Sequence, residues 1–71
     1  MRRAILEALK ARYEAEIAEA DATANIYLEN SVGIGEHPQH IDEVNKQIEK
    51  IATAREKVEV LDQFEPEKAV L

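Results

Sequence analysis

The residues that break helices are confined to two short parts of this 71-residue chain. They are Gly33, Gly35, Pro38 and Pro66. Inside a helix a glycine costs about 1 kcal/mol and a proline about 3, whereas the long stretches between these residues are rich in Ala, Glu, Leu, Lys and Arg, which favour helix. The sequence therefore predicts one domain made of a helix at about 2–29, a loop at about 30–37, a second helix at about 38–64 and a tail at 65–71. Asn30 or Gly33 is expected to end the first helix in the left-handed conformation, and Pro38 to begin the second.

Each predicted helix carries a stripe of residues spaced three and four apart, which places them on one helix face. In the first helix the stripe is Leu6, Leu9, Tyr13, Ile17, Ala20, Ala24 and Tyr27. In the second it is Ile41, Val44, Ile48, Ile51, Arg55, Val58 and Leu61. Because a short loop makes neighbouring helices antiparallel, we expect an all-α, antiparallel two-helix hairpin. For Arg55, the one polar member, the ring of Tyr13 is the predicted partner and Glu16 the alternative.

A hairpin of this size leaves apolar surface uncovered. Because the chain has no cysteine, disulfides cannot provide the stability that a larger core would give. Ile5, Ile26, Val60 and Phe64 fall outside both stripes. A row of alanines lies opposite the first stripe, namely Ala4, Ala8, Ala11, Ala15, Ala18 and Ala22. This row is either surface filler, since alanine is the best helix former, or a face that another helix approaches closely. We expect a homo-oligomeric helical bundle, with a dimer favoured, and take the alanine row, Val60 and Phe64 as candidate interaction residues.

The loop holds the remaining candidate site. Gly33-Ile34-Gly35 before a helix suggests a phosphate-binding loop, but a preceding strand, a third glycine and a Gly-Lys-Ser or Gly-Lys-Thr motif are all missing. Glu36, His37 and His40 include metal-binding residue types, yet they supply too few ligands for a site within one chain, so only a site shared across an oligomer stays open. The loop is interpreted as a rigid turn whose tip, at Ile34, Glu36 and His37, is a candidate for recognition.

The remaining composition argues against several function classes. Ser31 is the only serine, and no orienting carboxylate or oxyanion site accompanies the histidines, so neither catalytic residues nor a cofactor site is predicted. The net charge of −6, without any basic stripe, disfavours nucleic-acid binding. The apolar residues of the first helix come in short groups interrupted by charges, so neither a signal peptide nor a membrane segment is expected.

Ten residues, Glu29 to Pro38, together with Ile41 to Val44 and Lys50 to Val58, resemble small uncharacterised proteins of T-even-like tailed bacteriophages and cyanophages. Arg12 to Ile17 fits the same likeness, and the turn Val32 to His37 is its most specific part. The resemblance implies a phage origin and a helical hairpin, and it implies no activity.

The sequence therefore favours a non-enzymatic, self-associating interaction module that acts in host cytoplasm or in the virion, with a host or virion protein as a further partner. The alternative is a small inhibitor that binds and blocks a host enzyme during infection.

Overall fold

The computed structural model describes residues 1–34 and 39–65 of the chain, without the side chains of 30–34. It contains helix α1, Arg2–Ile34, and helix α2, Gln39–Leu61, followed by a 3-10 turn at Asp62–Phe64. The described residues contain no strand, and the two helices pack against each other, so the all-α hairpin is confirmed.

Contacts at both ends of the hairpin show that its helices are antiparallel. At one end Arg2 Nη2 donates a hydrogen bond to the carbonyl oxygen of Phe64 at 2.6 Å. At the other the rings of Tyr27 and His40 meet edge to face, with their centroids 5.9 Å apart. A helix rises about 1.5 Å per residue, so the 33 residues of α1 span nearly the whole 51 Å length of the molecule. The other two dimensions are 20 and 14 Å, which makes the hairpin a thin rod.

The helix boundaries differ from those expected. α1 continues through Asn30 and Gly33 to Ile34, so neither residue ends the helix, and the helix is five residues longer than expected. A single glycine costs a helix only about 1 kcal/mol, and it is tolerated where the helix is long. α2 ends at Leu61, and the expected helical stretch to residue 64 is completed by the tighter 3-10 turn, a common ending for helices. The expected start at Pro38 lies outside the described residues.

On α1 the side chains that face α2 are those of the predicted stripe. Ala20 and Ala24 are buried, and Leu6, Leu9, Tyr13, Ile17 and Tyr27 are half-buried. Thr23 is also half-buried, and its hydroxyl donates to the carbonyl oxygen of Glu19 at 2.9 Å, which satisfies the polar group within the helix.

On α2 four of the seven predicted stripe residues face α1, and at the other three positions the residue directly before the predicted one faces α1 instead. The buried and half-buried side chains along its main row are His40, Val44, Gln47, Ile51, Ala54, Val58 and Leu61. These follow the strict four-three spacing of paired helices, in which every seventh residue returns to the partner. Ile41, Ile48 and Arg55 are exposed instead. With the predicted face inward the Arg55 charge would enter the contact, whereas the observed face puts the small Ala54 there and leaves the guanidinium in water.

The core of the hairpin consists of small side chains. Among the described residues only Ala20, Ala24 and Ala54 are buried, and no larger side chain is fully enclosed. Two helices meet along a single line, so each larger apolar side chain keeps one side in contact with solvent.

Candidate interaction surfaces

One face of the hairpin, at the end where α1 leads into α2, contains an open apolar groove of about 420 Å³. We call it the loop-end groove; its lining residues are Tyr27, Leu28, His40, Ile41, Val44, Asn45 and Ile48. The groove exists because α2 turns His40 toward Tyr27, and this rotation leaves Ile41 and Ile48 on the outside.

Three large side chains of the groove are mainly in solvent. Leu28 is 66% exposed, Ile41 75% and Ile48 55%. Exposed aliphatic side chains scattered singly are ordinary, but three that line one groove form a patch of the kind that marks contact surfaces.

None of the described residues that line the loop-end groove is acidic. The exposed carboxylates nearest to it in sequence are those of Glu29, Asp42 and Glu49, each of which directly follows a lining residue. Consecutive residues of a helix point about 100° apart, so these side chains are directed away from the groove. The described lining is apolar apart from the polar atoms of Tyr27, His40 and Asn45.

On α2 a basic residue lies close to two of these carboxylates. Lys46 follows Asp42 by four residues and precedes Glu49 by three, so the three side chains share one helix face. The Lys46 ammonium lies 3.2 Å from a carboxylate oxygen of Glu43. On α1 there is no Lys or Arg from residue 14 to residue 34. The next basic residue of α2, Lys50, lines a different cleft.

That second cleft lies on the opposite face of the hairpin and has mixed charge. It encloses about 360 Å³ and is lined by Glu16, Glu19, Lys50, Thr53, Ala54 and Lys57. The Lys57 ammonium lies 5.3 Å from the centroid of the Tyr13 ring, within the range of a cation–π contact. The expected partner of Tyr13 was Arg55, and the rotation of α2 that removes Arg55 from the contact explains why Lys57 takes its place. Acidic and basic groups balance in this cleft.

The residues singled out from the sequence lie on other surfaces. All six alanines of the predicted row, Ala4, Ala8, Ala11, Ala15, Ala18 and Ala22, are exposed on α1. Val60 and Phe64 are 42% and 48% exposed at the opposite end of the rod from the groove. Ile34 is the last residue of α1, and its side chain is not described. Glu36 and His37 lie outside the described residues, so the proposed loop tip stays a prediction.

The described residues contain neither a metal-binding cluster nor a membrane-spanning helix. Within residues 1–34 and 39–65 no three His, Asp or Glu side chains come together in a way that could hold a metal ion. The ring of His40 contacts the ring of Tyr27. Glu36 and His37, which the sequence analysis grouped with His40 as metal-binding residue types, lie outside the described residues. In the same part no helix is long and apolar enough to cross a membrane.

Sequence reasoning missed the loop-end groove because it assigned Ile41 and Ile48 to the hairpin core. A signal for the correct assignment was present. The alternative series at residues 40, 44, 47, 51, 54, 58 and 61 keeps an unbroken four-three spacing and excludes Arg55, the only arginine of α2, from the contact between helices.

Comparisons with protein-family models, curated proteins and solved structures found no significant match.

Proposed function

We propose that this chain is a non-enzymatic protein–protein interaction module that self-associates through helix packing. The observation that carries the proposal is the size of the core, which has three buried alanines and no fully buried larger side chain among the described residues. A small domain with so little enclosed apolar surface gains stability by associating with another molecule. Met1, Ile5, Ile26, Val60 and Phe64 stay 42–94% exposed, which leaves apolar surface for such a contact.

The alanine row is the proposed surface for a second copy. Its six members keep a four-three spacing from Ala4 to Ala22 and have only methyl side chains, so two copies of α1 could approach closely along it. A pair of hairpins joined in this way is a four-helix bundle. Val60 and Phe64 at the end of α2 extend the apolar surface near the start of α1, where Arg2 contacts Phe64.

Sedimentation equilibrium combined with thermal unfolding tests the proposal. Because only the folded state associates, we expect a dimer whose midpoint temperature rises as protein concentration increases about a hundredfold. Ala15→Glu should shift the equilibrium to the monomer, while Ala52→Glu, the same change at an exposed alanine of α2, should leave it in place. A folded chain that stays monomeric at the highest concentration would refute self-association.

A second candidate is the inhibitor that binds and blocks a host enzyme, and the exposed apolar side chains of the loop-end groove favour it. A stable monomer in the centrifuge, together with a stoichiometric host enzyme recovered in a pull-down, would support this candidate over the first. Phage origin and action in host cytoplasm or the virion are proposed with both candidates, on the resemblance of Arg12 to Ile17, Glu29 to Pro38, Ile41 to Val44 and Lys50 to Val58 alone.

A further inference from the structure

A column of four exposed residues runs along one side of the alanine row on α1. Its members are Ile5, Arg12, Glu19 and Ile26, each seven residues after the one before. Seven residues make two turns of paired helices, so all four occupy the same flanking position beside the row. Ile5 and Ile26 are 51% and 55% exposed, and neither Arg12 nor Glu19 forms an ion pair with another described residue. We call these four residues the flanking column.

The flanking column is complementary to an inverted copy of itself. In two antiparallel helices this flanking position faces the same position of the partner, in reverse order. Ile5 of one copy then lies against Ile26 of the other, and Arg12 lies against Glu19. Because the pair has twofold symmetry, each contact occurs twice. The same alignment places alanine against alanine along the row, Ala11 with Ala22 and Ala15 with Ala18.

The flank on the other side of the row opposes this alignment only weakly. It brings Glu14 near Asp21 of the second copy, which is repulsive. Lys10 lies one turn before Glu14 on the same helix face and offsets that repulsion.

A parallel pair would make poorer use of the flanking column. The two different flanks would then face each other, so Arg12 would still meet a carboxylate, but Glu19 would lie near Glu14 of the second copy. Ile26 would lie near Asp21. The isoleucines of the column would therefore stay without an apolar partner.

The charges of α1 as a whole also favour the antiparallel arrangement. Residues 1–13 contain four basic side chains and one acidic, and residues 14–34 contain five acidic and none basic. This order does not stabilise α1 itself, because acidic residues in the first turn and basic residues in the last turn stabilise a helix, and α1 has neither. An antiparallel pair places the basic part of each copy beside the acidic part of the other, whereas a parallel pair places acidic beside acidic.

We propose that the alanine-row face of α1 binds a second copy of this chain in the antiparallel orientation, with Ile5 against Ile26 and Arg12 against Glu19. This inference rests on the self-association proposed above and adds its orientation and alignment. The flanking column selects the orientation, because methyl groups alone do not distinguish the two directions.

Cysteine cross-linking of the full chain tests the orientation, since the chain has no cysteine of its own. Two single variants, Ala11→Cys and Ala22→Cys, are mixed, unfolded, refolded together and oxidised. A disulfide needs Cα atoms within about 7 Å, so we expect peptide mapping to find disulfides between positions 11 and 22 at least about fivefold more often than between like positions.

Charge reversal provides a second test, which leaves the alanines unchanged. Glu19→Arg should raise the Kd of the dimer about tenfold, although it lowers the net negative charge of each copy. Adding Arg12→Glu to the same chain should restore most of the affinity, because the reversed pair is complementary again. Glu16→Arg, the same change at another carboxylate of the second cleft, should leave the Kd within about twofold of the unmodified chain. Circular dichroism of each variant establishes that the hairpin is folded.

The outcomes separate the orientation from self-association itself. Disulfides between like positions, in a chain that sediments as a dimer, would overturn the antiparallel orientation and leave self-association in place. A chain that stays monomeric in the ultracentrifuge would refute both. A stronger dimer with Glu19→Arg, or no recovery when Arg12→Glu is added, would show that net repulsion controls association and that the alignment is wrong.

Discussion

The size of single side chains decides how closely the two helices approach. Ala54 is 1% exposed and Ala20 is 2% exposed, and both lie where α1 and α2 meet. An isobutyl side chain in place of the methyl has no space to occupy at such a position, so the helices must separate or the side chain must take a strained rotamer. We expect Ala54→Leu to lower the free energy of unfolding by about 1–3 kcal/mol, measured by urea denaturation at fixed protein concentration.

Ala52 provides the matched control for this substitution. It lies two residues away on the exposed side of α2, and leucine and alanine have similar helix propensities. Ala52→Leu should therefore change the free energy of unfolding by no more than about 0.5 kcal/mol. If both variants unfold at the same urea concentration, the close contact at Ala54 is incorrect.

At the scale of the elements, the end of α1 is the main departure from the sequence-based prediction, and Gly33 tests it. In the right-handed helix observed, Gly33→Ala should stabilise the chain by a few tenths to about 1 kcal/mol, because alanine loses less backbone entropy on folding. If Gly33 instead had the left-handed conformation first expected, alanine would destabilise. The sign of the change in unfolding free energy therefore distinguishes the two structures.

A chain made by chemical synthesis with D-alanine at residue 33 is the complementary control. D-alanine favours the left-handed conformation and opposes a right-handed helix, so its effect should be opposite in sign to that of L-alanine. Stabilisation by D-alanine would place the end of α1 before Gly33.

The two helices also show how far the sequence predicts such a fold. The face of α1 was predicted correctly because its stripe, from Leu6 to Tyr27, has no equally spaced competitor that is as apolar. On α2 two adjacent series compete. Hydrophobicity favours the series with Ile41 and Ile48, whereas side-chain size and the cost of enclosing a charge favour the series with Ala54. The groove forms only when the series with Ala54 faces α1 and leaves Ile41 and Ile48 exposed. It could therefore not be predicted from apolar periodicity alone.

At the scale of the whole molecule, a rod 51 Å long and 14 Å thick has its three buried residues in its middle part and several of its exposed apolar residues toward both ends. Ala20, Ala24 and Ala54 occupy the middle, while Leu28 and Ile41 lie toward one end and Phe64 toward the other. Local opening requires least free energy where few apolar contacts must be broken. The rod should therefore fray from its ends, and association along α1 should suppress that fraying.

Native-state hydrogen exchange measures this gradient residue by residue. Amides near Ala20 and Ala24 of α1 and near Ala54 of α2 should exchange at least about tenfold more slowly than those near Gly33 and Phe64. Raising the protein concentration should then slow exchange in α1 more than in α2, because the alanine row proposed for self-association lies on α1 alone. Uniform exchange along both helices would contradict the gradient, since it would mean that the rod opens only as a whole. A greater slowing in α2 than in α1 would move the self-association surface to the face that carries Ile41 and Ile48.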